Sequence, residues 1–359
     1  MSKASSVVHE DARAVVRDLG QALKPLAGST LLVTGASGFL CSYFLDVVAA
    51  ANDAGLSPRC SVIGLDNFQS SLPERLDHLR ARDDVEFVQH DVRQPYRSRR
   101  QADYIVHGAS IASPTFYRRF PFETIDVNVN GTRHMLDLAR TGTRSLLVIS
   151  TSEIYGDPDP DHIPTTEEYR GYVSCTGPRA CYDESKRLGE TLCWNYFKSY
   201  ATPVKVVRPF NVYGPGQRLD DARIIPDLMS AALDRRPIVL YSDGRATRSL
   251  CYVRDAIAGM LHVLLSDANG EAFNVGNDEE ELSMIEVAER IRQVAGPPPL
   301  EITFKTSADP NYVIDSPQRR RPSLQKLRAL APWTPSVGLT EGLERTLRSY
   351  RELRQTQPA

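Results

Sequence analysis

The sequence predicts an α/β fold: a doubly wound parallel sheet with a smaller C-terminal lobe. Three observations predict it. Short apolar runs, Leu31-Leu32-Val33 and Leu146-Leu147-Val148-Ile149 among them, have the unbroken hydrophobicity of strands buried on both faces. Segments with helical spacing separate such runs, so strands and helices alternate from Thr30 to Val207. The first run opens directly into a glycine turn, Gly35-Ala36-Ser37-Gly38, ahead of an apolar helix.

A chain of 359 residues, 41% hydrophobic and 25% charged, is long enough for a large core and has the balance of a globular protein. Its formal charge of −2 gives no reason to expect nucleic-acid or membrane partners. No apolar run approaches the roughly twenty residues of a membrane span. His9, Glu10 and Asp11 stand where an export signal would need an apolar core, so a cytoplasmic location is expected. Cysteines 41, 60, 175, 181, 193 and 251 show no Cys-x-x-Cys spacing and no adjacent histidines. They read as reduced thiols, and no metal site is expected.

In chain order, Val15, Val16, Leu19 and Leu23 recur at helical spacing, which predicts a helical extension over residues 1–28. Thr30–Thr34 is the first strand. In the turn after it, Gly35, Ser37 and Gly38 let main chain approach a pyrophosphate on the N-terminus of the helix that Phe39 and Leu40 begin. The third position of the Gly-x-x-Gly-x-x-Gly pattern is Cys41, whose thiol must push the helix outward or meet a small neighbour. The second strand ends in Asp66-Asn67, where a carboxylate accepts from ribose hydroxyls and repels a 2′-phosphate. NAD is therefore expected rather than NADP.

A third strand leads to His90-Asp91-Val92, with Asp91 placed to meet an adenine amino group. The fourth opens into His107-Gly108-Ala109-Ser110, small residues suited to passing under the cofactor, and then into a loop over Ile111–Tyr117. A helix is expected from Asn128 through Leu138.

The Leu146 strand ends in Ser150-Thr151-Ser152-Glu153, and Tyr182 and Lys186 follow four residues apart. On a helix the pair shares one face. An ammonium beside a phenol lowers the phenol's pKa from about 10 toward neutrality, which makes Tyr182 a candidate general base. Alone, Tyr-x-x-x-Lys is a weak signal; behind a dinucleotide-binding unit it is a strong one.

After Val207 the pattern changes to a turn-rich stretch, Arg208–Gly216, followed by Arg223, Tyr241 and Arg248. Three such groups beyond a nucleotide fold suit a second, phosphate-bearing ligand. Tyr252–Asp255 and Phe273–Gly276 read as strands or strand ends, and 282–295 and 338–353 as helices. Arg319-Arg320-Arg321 reads as a loop entering a helix over Ser323–Leu330. The expected organisation is an N-terminal extension (1–28), a Rossmann domain (29–207, with 250–276 returning to it) and a lobe for the second ligand (208–359).

These features resemble the extended short-chain dehydrogenases/reductases that act on nucleotide sugars, and within them the UDP-glucuronate decarboxylases. The resemblance runs from about Thr30 to about Tyr350 and rests on Asp66-Asn67-Phe68, His90-Asp91-Val92, Ala112-Ser113-Pro114, the run Thr151–Pro158, the run Gly177–Glu184, Thr247-Arg248 and Arg320-Arg321-Pro322. Departures are Cys41, Ile111, Ser174-Cys175-Thr176 and Ala246. The resemblance implies bound NAD, a UDP-sugar across the two lobes, and a homodimer formed through helices near 128–140 and 182–198. It implies that Tyr182 removes the C4 hydroxyl proton, that Lys186 holds the nicotinamide ribose, and that Thr151 and Ser152 orient the sugar. Glu153 and Arg320 then attend the carboxylate, Tyr117 touches the sugar, and Asn211, Arg223, Tyr241 and Arg248 bind UDP. Uronate 4-epimerisation and 4,6-dehydration share the same first step and stay open. A non-catalytic NAD-binding regulator has only Cys41 in its favour.

Overall fold

The computed structural model describes residues 5–221, 223–307, 314 and 317–356. Its centre is a parallel sheet of β1 (Thr30–Thr34), β2 (Ser61–Asp66), β3 (Val85–Gln89), β4 (Tyr104–His107), β5 (Ser145–Ile149), β6 (Val204–Pro209) and β7 (Ala272–Val275). The strand order is β7-β6-β5-β4-β1-β2-β3. The order reverses between β1 and β4, and the crevice at the carboxyl ends of those strands is where open α/β sheets hold ligands.

The helices are α1 (Ser6–Leu19), α2 (Phe39–Asp53), α3 (Thr132–Ala139), α4 (Ala180–Tyr200), α5 (Ile224–Leu233), α6 (Val253–Leu264), α7 (Met284–Ala295) and α8 (Leu339–Thr356). Alternate residues of β1 serve opposite faces, as the two-residue strand period requires. Leu31 and Val33 pack with Phe44 and Val47 of α2, whereas Leu32 packs with Met135, Leu136 and Cys193 of α3 and α4. Both faces are dry, which is why these strands carry no polar alternation. Among the described residues no helix is long and apolar enough to cross a membrane.

Three local readings change. The helix expected from Asn128 is preceded by a short helix, Pro121–Asp126, and opens with a wide turn over Val127–Gly131 before α3. There Thr132 Oγ1 donates to the Asn128 carbonyl at 2.6 Å, a side chain intruding on the helical ladder. The Ile111–Tyr117 loop becomes helical at Pro114, whose fixed φ suits a first helical position. Arg319-Arg320 is not a loop but a two-residue strand beside Thr247–Arg248, with Arg320 in register with Arg248. Such a pairing is too short to leave a periodic signal.

The C-terminal lobe is closed by α7, which Ser283 and Glu286 cap reciprocally, and by α8. Buried Asp11 of α1 accepts from Tyr252 Oη at 2.7 Å and Arg345 at 2.7 Å, tying the N-terminal helix to α6 and α8.

Candidate active site

A cleft of about 1160 Å³ runs from the glycine turn across the carboxyl ends of the strands to Arg248 and Arg320. Its volume exceeds what one small ligand needs and spans both lobes.

On the cofactor side, Gly35 has φ +69, and a Cβ there would lie 2.9 Å from Ala109 Cα. Only glycine fits this approach, and it leaves the main chain at Gly38, Phe39 and Leu40 lining the cleft. That geometry fits a dinucleotide pyrophosphate at the start of α2. Cys41 is accommodated by its neighbour: a Cβ on Gly108 would collide with Cys41 Sγ, so the missing side chain opposite makes room for the thiol. Gly108→Ala is expected to cost ~1–3 kcal/mol of stability through overpacking, and Cys41→Gly in the same chain should recover most of it; thermal melts of the two single variants and the double variant check this.

Asp66 is more engaged than a free ribose acceptor. Its carboxylate accepts from Ser37 N (2.9 Å) and Ser37 Oγ (2.7 Å), and from Phe68 N (2.8 Å) and Ser71 Oγ (2.9 Å). It thus staples the glycine turn to the end of β2 while lining the cleft. Arg93 donates to Asp91 through Nη2 at 2.6 Å and holds that carboxyl down at about 2, so it stays an acceptor. Asn67 Nδ2 donates to Asp91 at 3.3 Å, and Val92 is buried beneath in a cluster with Ile111, Tyr117 and Tyr182.

Tyr182 sits in the first turn of α4 and stacks on Tyr117, with ring centroids 5.2 Å apart and planes 10° from parallel. Lys186, one turn on, has Nζ 5.9 Å from the Tyr182 ring centroid and donates to the Ile149 carbonyl at 2.9 Å. Burial lowers the lysine to about 8. The expectation of a phenol drawn toward neutrality by Lys186 is not met by the protein groups. Burial pushes Tyr182 up to about 12 and the Glu153 charge adds to it, against a hydrogen bond from Thr151 that lowers it. The ammonium is spent on a main-chain carbonyl, and a buried phenol near an anion resists ionising. Thr151 Oγ1 also accepts from Glu153 N at 3.2 Å, and buried Ser152 lines the cleft beside it.

Glu153 is the centre of the charged end. Arg320 grips it bidentately, Nη1 to Oε1 and Nη2 to Oε2 both at 2.6 Å, and Arg179 Nη2 donates to Oε2. Burial alone would raise this carboxyl, but Arg320 and then Arg179 outweigh it and hold Glu153 well below the usual carboxylate range. Arg248, the cross-strand neighbour of Arg320, is lowered to about 10 by burial and then by Arg320. Behind Arg179 lies buried Asp183, with Oδ2 3.5 Å from Arg179 Nε; burial, then Glu153, raise it to about 7. Three guanidinium groups therefore surround one firmly ionised carboxylate.

The remaining residues lie along the second-lobe wall. Asn211 adopts φ +42 and donates to the Ser249 carbonyl at 3.3 Å. Arg223 precedes α5, pairs with Asp221 at 2.6 Å, and is close enough to Tyr182 to act on its charge. Tyr241 lines the same wall. Arg179 and Asp183 received no role from the sequence, although both fall within the run Gly177–Glu184. Their i, i+4 spacing at a helix start was the available signal. Among the described residues, no group of three or more metal-ligating side chains is gathered.

A fold of this kind, with a tyrosine–lysine pair at the mouth of its switch point, is that of a nicotinamide-dependent enzyme. Comparison with known proteins makes the class specific. The chain belongs to the NAD dependent epimerase/dehydratase family, whose profile matches residues 31–276, and NAD is its cofactor. It is 39% identical over 322 residues to UDP-glucuronic acid decarboxylase 1 of Arabidopsis thaliana, which spans 89% of this chain and 69% of that protein. Among solved structures it is similar to the dTDP-glucose 4,6-dehydratase DesIV of Streptomyces venezuelae with NAD bound (TM-score 0.78, 26% identity, 91% of this chain and 98% of that one). It is also similar to UDP-glucuronic acid 4-epimerase from Bacillus cereus with UDP-glucuronic acid and NAD (TM-score 0.74, 25% identity, 90% and 99%).

Proposed function

We propose that this enzyme converts UDP-glucuronate to UDP-xylose through a 4-keto intermediate. The observation that carries the reading is the charged end of the cleft: Arg320 and Arg179 converge on the ionised Glu153 at the wall that the sugar would face, a basic cluster suited to a substrate carboxylate. Relatives named UDP-glucuronic acid decarboxylase, at 34–39% identity over most of the chain, support it.

NAD bound along the β1–β4 wall supplies the hydride acceptor for C4. Tyr182 takes the C4 hydroxyl proton, Lys186 fixes the cofactor ribose, and Thr151 and Ser152 orient the sugar. The ketone at C4 makes the C6 carboxylate part of a β-keto acid, so the electrons of the breaking C5–C6 bond pass into the ketone as carbon dioxide leaves. Arg320 orients that carboxylate, Glu153 serves the proton that C5 then takes up, and hydride returns to C4. Tyr117 packs against the sugar while Asn211, Arg223, Tyr241 and Arg248 hold UDP. On this reading residues 29–207, with 250–276 returning, form the NAD-binding unit, and 208–359 form the nucleotide-sugar lobe.

The basic cluster is tested by calorimetry on NAD-loaded Tyr182→Phe protein, which is expected to bind without turnover. UDP-glucuronate is expected to bind at least ~10-fold more tightly than UDP-glucose, as one charge-assisted pair of ~1.5–3 kcal/mol requires. Equal affinities would contradict the uronate reading.

The same reading includes a homodimer. Phe122 is 82% exposed and Ile125 42% on the short helix beside α4, and Leu188 is 46% exposed on α4 itself. An apolar patch on adjoining helices suits a self-complementary face. Light scattering is expected to give a dimer mass for the native chain and a monomer mass for Phe122→Glu/Leu188→Glu.

A further inference from the structure

Glu153 poses a chemical difficulty for the uronate reading, and the role assigned below to Arg179 rests on that reading. A carboxylate held by two arginines is a poor proton carrier, yet C5 must be protonated after carbon dioxide leaves. The geometry contains a way out. Arg320 holds both Glu153 oxygens, whereas Arg179 holds only Oε2. The two guanidiniums reach Glu153 from different elements, Arg320 from the 319–320 strand and Arg179 from the start of α4. Behind Arg179, Asp183 Oδ2 lies 3.5 Å from Arg179 Nε, a charge pair. Asp183 Oδ1 and Arg179 Nε have no hydrogen-bond partner among the described residues.

We propose that Arg179 is a positioning residue for the decarboxylation: it keeps Glu153 aimed at the sugar while the substrate carboxylate takes over the Arg320 fork, and Asp183 fixes Arg179 in that task. Once Arg320 turns to the substrate, Glu153 has lost its stronger counter-charge and can take a proton from solvent. As the C5–C6 bond breaks, its electron pair enters the C4 ketone and carbon dioxide departs. Glu153 delivers its proton to C5 and, again an anion, recovers the Arg320 fork. Arg179 never leaves Glu153, so the carboxyl stays placed through both charge states. The groups facing it are Tyr117, Glu153 and Asp183, each of which acts on its charge.

The test uses NAD-loaded native protein, Arg179→Gln, Arg179→Lys and Asp183→Asn, mixed in single turnover with UDP-glucuronate. NADH absorbance reads C4 oxidation, and UDP-xylose formation reads the later protonation at C5. Arg179→Gln is expected to leave oxidation within about threefold and slow UDP-xylose formation about a hundredfold, the scale of a lost proton-transfer group. Arg179→Lys should restore part of that loss, and Asp183→Asn should reproduce it in milder form. Equal loss of both signals, or of neither, would overturn the assignment.

Should native protein neither oxidise nor decarboxylate UDP-glucuronate, the function reading fails, and the carboxyl ¹³C titration of Glu153 still decides the Arg179 role. Arg179→Gln must move that titration upward toward the ordinary glutamate value, and an unchanged titration overturns the proposal.

Discussion

Tyr182→Phe is expected to lower turnover by ~10²–10⁴, the range of a lost general base, while NAD still binds. The phenol lines the cleft between the cofactor wall and Glu153, stacked on Tyr117 so that its oxygen has one direction to face. Phenylalanine keeps the ring and its stacking and removes only the oxygen, so folding should be unaffected. The residues expected to contact the cofactor also include the glycine turn, Asp66 and Asp91, which the substitution does not touch. Fluorescence titration with NAD and single-turnover NADH formation separate the two effects. Turnover persisting in the variant would mean that the base is misassigned, whereas loss of NAD binding would mean that the ring itself holds the cofactor. The ~12 value of the phenol sharpens the point, because the protein groups alone do not ionise Tyr182 at neutral pH.

Arg320→Gln is the second large effect. Two hydrogen bonds of 2.6 Å to a buried carboxylate vanish together, and breaking such a pair leaves an undercompensated charge at ~3–5 kcal/mol. On the proposed reading a substrate carboxylate would lose the same fork, and kcat/KM for UDP-glucuronate should fall ~10²–10³, the equivalent of two charge-assisted bonds. UDP-glucose, which has no carboxylate, should be oxidised at C4 at an almost unchanged rate.

The pH dependence has a definite sign. Glu153 is depressed in the folded protein, so its contribution to stability is present above the ordinary glutamate pKa of about 4.3 and is lost as pH falls through the depressed value. Without Arg320 the folded value rises toward the unfolded one, so the variant should be less stable near neutral pH and should lose less of its remaining stability as pH falls through the acid range. Melting temperatures of both proteins across the acid range check this; superimposable curves would mean that Arg320 does not control the Glu153 charge.

The inner strands β1, β2, β4 and β5 were legible because each is dry on both faces and therefore reads as an apolar run, and the glycine turn because only glycine permits the Gly35–Ala109 approach. The accommodation of Cys41 was legible as a requirement for a small neighbour, and Gly108 meets it. The charged end was harder. Glu153 and Arg320 lie far apart in sequence, and only the family resemblance joined them; Arg179, near a helix start, has the spacing of an ordinary surface residue. Nothing local shows that its guanidinium turns inward toward an acid on another element. The phenol value failed for the same reason, since burial and the Glu153 field are properties of the assembled cleft. Asp66 was recognised from its place after β2, but its four protein donors come from two turns that only the fold brings together.

The central claim is tested most directly by incubating the protein with UDP-glucuronate and NAD and weighing the nucleotide sugars by mass spectrometry. The account predicts loss of the mass of carbon dioxide to give a UDP-pentose with the NMR spectrum of xylose. An unchanged mass with a new sugar spectrum would contradict it and mean 4-epimerisation; no conversion of the uronate, with loss of water from a neutral nucleotide sugar instead, would contradict it in favour of dehydration.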